Sequence, residues 1–75
     1  MKIHKISNGR HCDVEVSDLV LLGGPIVSID GEDCWLVEVS LDMRGSNGTK
    51  YVAVSREVAR TQRQATIAAM RCVIG

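Results

Sequence analysis

Three dipeptides, Asn8-Gly9, Asp30-Gly31 and Asn47-Gly48, set narrow limits on how this 75-residue chain can fold. Asn-Gly and Asp-Gly suit two-residue type I′ turns, which require positive φ at both central positions and join adjacent antiparallel strands. Read as three hairpins, they define pairings that can be checked for chemical sense. Around Asn8-Gly9, Lys2 faces Glu15, Ile3 faces Val14, His4 faces Asp13 and Ile6 faces His11, a set of charge-paired and apolar cross-strand contacts. Around Asp30-Gly31, Ile26 faces Trp35, Gly24 faces Val37 and Leu22 faces Val39, with Gly24 leaving room for the indole. Pro25 has no N–H and places that strand at an edge or a bulge. Around Asn47-Gly48, Leu41 faces Val54 and Met43 faces Val52.

Strands are therefore expected over residues of about 2–7, 10–16, 24–29, 34–43 and 49–54. Trp35, Val37, Val39, Leu41 and Met43 alternate along one strand, and Ile26, Leu22, Val52 and Val54 fall on the same side. Leu36, Glu38, Ser40, Asp42, Arg44, Tyr51 and Ala53 take the other, largely polar side. An apolar sheet face needs a cover. Residues 56–73 supply it as a helix, with Ser55 as N-cap. At about 100° per residue, Val58, Ala65, Ala69 and Cys72 form one stripe and Arg56, Arg60, Arg63 and Arg71 the opposite one. The expected fold is α+β, a single domain over residues 1–75, in which an antiparallel meander of four to five strands is covered on one face by a C-terminal helix. The alternative is a small SH3-like barrel with an appended helix.

Composition narrows the function classes. No apolar run approaches the roughly 18 residues of a membrane span, and "MKIHKIS" lacks the apolar core of a signal peptide. The expected location is the cytoplasm, without membrane association. Three widely spaced cysteines, Cys12, Cys34 and Cys72, form neither a CxxC pair nor a zinc-finger pattern and read as reduced, mostly buried thiols acting as small hydrophobic residues. Zero net charge conceals a polarity. Residues 1–44 carry four basic residues against eight acids, net −4, and residues 45–75 carry five against one, net +4.

The arginines would form a ridge about 22 Å long, interleaved with Ile67 and Ile74 and flanked by Met70. Arginine and methionine beside apolar groups are characteristic of interfaces. The acids of the second hairpin, Asp30, Glu32 and Asp33, offer a complementary negative surface. His4, His11 and Asp13 share one face of the first hairpin and include metal-ligating types. A bare two-stranded ribbon gives them no walls, however, so neither a metal nor any other cofactor is expected. Cys12, beside His11, points to the opposite face, which argues against a Cys–His nucleophile. No phosphate-binding loop, dinucleotide fingerprint or hydrolase elbow is present.

The expected function is non-enzymatic. The chain would be a small regulator, inhibitor or accessory subunit that docks on a larger protein or protein complex. Its contacts would be Arg56, Arg60, Arg63, Ile67 and Arg71, with Asp30, Glu32 and Asp33 second. The charge polarity is also compatible with a homodimer. Nucleic-acid binding through the same arginines is the alternative, weakened by the neutral overall charge and the lack of stacking aromatics.

Overall fold

A computed structural model describes residues 1–43 and 46–74. In chain order it contains β1 (Lys2–Ser7), β2 (Arg10–Glu15), α1 (Asp18–Leu21), β3 (Ile26–Ile29), β4 (Glu32–Met43), β5 (Ser46–Ser55) and α2 (Gln62–Ile74). The five strands make one mixed sheet in the order β2-β1-β5-β4-β3. This is a small α+β architecture with a C-terminal helix across the sheet. The sheet is an open one, with β2 and β3 at its edges, rather than a barrel.

Two hairpins keep the register read from the sequence. Lys2↔Glu15, Ile3↔Val14, His4↔Asp13 and Ile6↔His11 pair around Asn8-Gly9, and Ile26↔Trp35 pairs around Asp30-Gly31. The second turn has positive φ at both centres, Asp30 at 52° and Gly31 at 77°, as a type I′ turn requires. In the first, only Gly9 is positive, at 69°. β3 is shorter than expected because Leu22 and Gly24 lie outside it. Ser17 to Leu22 instead wind into the one-turn α1, whose end is bonded by Leu22 N–H to Leu19 O and Gly23 N–H to Val20 O.

The third hairpin has a different register. β4 and β5 pair as Trp35↔Val54, Val37↔Val52, Leu41↔Gly48 and Met43↔Ser46, so Asn47 and Gly48 lie inside β5 and do not form its turn. The longer ladder keeps more backbone groups paired. It differs from the expected register by an even number of residues, so the side-chain faces are preserved. The side chains of residues 40–44 and Ile74, to which the sequence reading assigned faces, lie outside the described residues.

The purely antiparallel expectation is corrected by β1, which pairs in parallel with β5 through His4↔Val52, Lys5↔Ala53 and Ile6↔Val54. The reason is burial on both faces of the sheet. Val52, Ala53 and Val54 are all 0% exposed, and a continuous apolar triplet of this kind suits a central strand. β1 complements it with Ile6 on one face and Ile3 on the other. Ile6, Val37, Val39, Val52 and Val54 form the core under α2 with Ala59, Ala65 and Ala69. On the reverse, Ile3, Val16, Val27, Ile29, Cys34 and Ala53 form a second core, against which Val20, Leu21, Leu36 and Tyr51 pack. The reverse face is thus substantially apolar around these strands, contrary to the polar face expected, although Glu38 on it is exposed.

α2 starts at Gln62, not at 56. Ser55 does cap a turn, accepting the Glu57 N–H at Oγ (3.2 Å) and the Val58 and Ala59 N–H groups at its carbonyl. The turn then stops. Trp35 Nε1–H donates to Ala59 O at 2.8 Å and holds the loop against the sheet. Thr61 opens the true helix, with Gln64 N–H donating to Thr61 Oγ1 at 3.2 Å and Gln64 Oε1 accepting the Arg60 N–H at 2.9 Å. This Thr-x-x-Gln arrangement is a variant of the capping box. Fully buried Ala65 and Ala69 let the helix axis lie close to the valines.

Candidate functional site

The late start of α2 divides the expected arginine ridge. Arg63, Ile67 and Arg71 follow one another at four-residue spacing on the outer face of α2, with Met70 beside them. Ile67 and Met70 are 44% and 45% exposed. Arg56 and Arg60 instead lie in the loop before α2. They line a shallow cavity of about 480 Å³ together with Glu32, Asp33 and Glu57, and Arg56 N–H donates to Asp33 O at 3.3 Å. Arg56 and Arg60 therefore share one cavity with Glu32 and Asp33 of the second hairpin. Among the described residues, none of Arg56, Arg60, Arg63 and Arg71 is in an ion pair within 4.0 Å.

The acids of the second hairpin have different roles. Asp30 is in the turn and exposed, and Asp33 is exposed. Glu32 turns inward and meets Lys5 Nζ at 3.1 Å. Glu32 Oε1 is buried and lacks a well-formed hydrogen bond, so the nearby ammonium is what compensates its charge. The contact with Glu32 raises the Lys5 pKa above the ordinary lysine value, against the lowering effect of burial. Glu32 is thus tied within the fold, leaving Asp30 and Asp33 as the outward negative groups.

A third group assembles where the sequence suggested no walls. The parallel pairing of β1 with β5 puts His4 beside Val52 and Ile6 beside Val54. His4, and His11 opposite Ile6, therefore point to the side of the sheet that α2 covers. The last turn of α2 brings Cys72 over them. His4 Nε2 and His11 Nδ1 are 3.0 Å apart, and Cys72 Sγ is 4.0 Å from His11 Nδ1. One ligand atom from each residue lies within 4.8 Å of the others. Asp13 Oδ1 sits 3.4 Å from the other nitrogen of His4, Nδ1. A cavity of about 350 Å³ opens beside the cluster, lined in part by Lys2, His4, Asp13, Lys50 and Cys72.

Cys12 is exposed and pairs across from Lys5, on the face away from His11, and Cys34 is fully buried. Burial raises the Cys34 thiol pKa, with Glu32 and Asp33 adding to the effect and Lys5 opposing it. Of the three cysteines expected to be mostly buried, only Cys34 is; Cys12 is exposed, and Cys72 is half-buried beside His11. Sixty-one residues separate Cys72 from His11, and local spacing carries no sign of their meeting. Leu19, expected on no surface, and Leu22, expected opposite Val39 in a strand pairing, stand 78% and 81% exposed around α1. Four consecutive aliphatic residues before Gly23-Gly24 resemble a buried strand unless the one-turn helix is known.

No protein-family model, curated protein or solved structure matches this chain. Among the described residues, no helix is long and apolar enough to cross a membrane.

Proposed function

We propose that the protein is a non-catalytic docking module, a small regulator, inhibitor or accessory subunit that binds an acidic surface on a larger protein through the outer face of α2. The observation that supports this most directly is the exposure of Ile67 and Met70 between Arg63 and Arg71, two arginines without ion-pair partners among the described residues. Guanidinium groups offer planar forks to carboxylates. The apolar side chains between them add contact area that a merely solvated helix face does not need. Arg56 and Arg60, which share a cavity with Asp33 and Glu57, form a second contact region of mixed charge. The cytoplasm is the proposed location.

Capture from host lysate in the presence of nuclease tests the reading. Wild type is compared with a folded Arg63→Glu/Arg71→Glu variant, and the captured protein is then titrated in purified form. The expected result is one stoichiometric acidic partner whose affinity falls at least tenfold in the charge-reversed variant and also falls on Ile67→Ala. Capture abolished by nuclease would instead favour nucleic acid. In that case log affinity should fall against log salt with a slope of about −0.9 per phosphate contacted on duplex DNA. Equal capture by wild type and variant would remove α2 from the interface.

A further inference from the structure

We propose that His4, His11 and Cys72 form a binding site for one divalent transition-metal ion, Zn²⁺ by ligand chemistry, and that Asp13 orients His4 within it. The proposal is independent of the docking surface, which lies on the opposite face of α2.

Zn–N bonds of about 2.0–2.1 Å and a Zn–S bond of about 2.3 Å place tetrahedral ligands roughly 3.3 Å apart for N and N and 3.5 Å apart for N and S. The His4–His11 nitrogen separation of 3.0 Å and the His11–Cys72 separation of 4.0 Å lie within about half an ångström of those values. The third separation is at most 4.8 Å. His11 is exposed and Cys72 half-buried at the end of a helix, so both side chains have room to rotate and shorten it.

Asp13 lies on Nδ1 of His4, so that nitrogen carries the proton and Nε2 presents its lone pair towards His11 Nδ1. Without a metal, His11 satisfies that lone pair by donating from Nδ1. With His11 protonated on Nε2, two lone pairs and the Cys72 thiolate converge on one point. A carboxylate on the far nitrogen of a ligating histidine is the usual second-sphere partner, fixing ring orientation and raising ligand basicity. Charge is consistent as well, since a divalent ion, one thiolate and the Asp13 carboxylate sum to zero. Lys2 and Lys50 on the cavity wall disfavour an isolated cation there, which makes the thiolate and carboxylate necessary parts of the site. Two imidazoles and one thiolate suit zinc better than magnesium or calcium, which take oxygen ligands. Three protein ligands leave the fourth position to solvent.

The test is titration of the intact, reduced chain with Zn²⁺ against a chromophoric chelator, together with Co²⁺ absorption spectra. The expected result is one ion per chain in a monomeric complex, with thiolate-to-cobalt charge transfer in the near ultraviolet. His11→Ala and the nearly isosteric Cys72→Ser should each weaken Zn²⁺ binding at least tenfold, and Asp13→Asn by about tenfold. Cys12→Ser should leave affinity and spectrum unchanged. Bound Zn²⁺ should also protect Cys72, and not Cys12, from alkylation, a readout on wild-type protein that does not depend on any variant folding. Absence of stoichiometric binding would overturn the proposal. So would undiminished binding in a folded Cys72→Ser variant, a Co²⁺ complex lacking the thiolate band, or one ion shared between two chains.

Discussion

Ile6→Ala tests the feature that most distinguishes this fold from a simple hairpin meander, the parallel seam between β1 and β5. Ile6 is 6% exposed and pairs with fully buried Val54 across that seam. The substitution removes three buried carbons, at about 0.8 kcal/mol each. With the cavity left under α2, the loss should be about 3 kcal/mol, inside the range for buried Ile→Ala changes. A chain of this length has roughly 4–11 kcal/mol to lose. With a urea m-value of about 1 kcal/mol per molar, the midpoint followed by fluorescence of the single Trp35 should fall by about 3 M. The seam itself is best probed with the milder Ile6→Val, which keeps the double variant folded. Paired with Val54→Ala, it should show a coupling of about 0.5–1 kcal/mol, because the two side chains share one cavity. Ile3→Val, on the same strand but in the opposite core, should be additive with Val54→Ala to within about 0.5 kcal/mol. Equal coupling for Ile3 and Ile6, or none for either, would refute the assignment of β1 as an inner strand with one isoleucine in each core.

Lys5→Met should cost about 1–3 kcal/mol by leaving Glu32 Oε1 buried without its compensating charge. Because the folded pKa of Lys5 is raised, its contribution is fully present below the ordinary lysine value and is lost as pH rises through the folded value. The stability gap between wild type and variant, measured by urea unfolding, should therefore narrow only at strongly alkaline pH. Asp30→Ala should destabilise by about 1 kcal/mol, since φ of 52° is costly for alanine, whereas Asp30→Asn should stay within about 0.5 kcal/mol; paired thermal melts decide between them. In native protein, iodoacetamide should modify exposed Cys12 at least about a hundredfold faster than Cys34, whose thiol is buried and raised in pKa. Comparable rates by peptide mass mapping would mean that the reverse-face core opens readily.

Much of the local architecture could be read from residue order alone. The Asn8-Gly9 and Asp30-Gly31 registers, the shared face of Trp35, Val37, Val52 and Val54, and the Ala65, Ala69 and Cys72 stripe of the closing helix follow from turn chemistry and side-chain periodicity, whereas Val58, expected on that stripe, lies in the loop before α2 and is 40% exposed. These signals act between neighbours or across one hairpin, where geometry leaves few alternatives. Asn47-Gly48 is the instructive exception, because a longer β4–β5 ladder outweighed a favourable turn dipeptide. The ladder and the Trp35–Ala59 hydrogen bond are contributions that a local motif does not reveal.

Only the tertiary structure decided which strands became neighbours. The order β2-β1-β5-β4-β3 is set by the need to bury Val52, Ala53 and Val54 on both faces at once, a requirement met by a strand nearly fifty residues away in sequence. Through that one pairing, a histidine-bearing ribbon came to lie under the end of α2, and Cys72 came to face His4 and His11. Residue types in the sequence defined what each of these side chains can bind. Their convergence required long-range burial, whose free energy depends on the whole core and leaves no mark on local spacing.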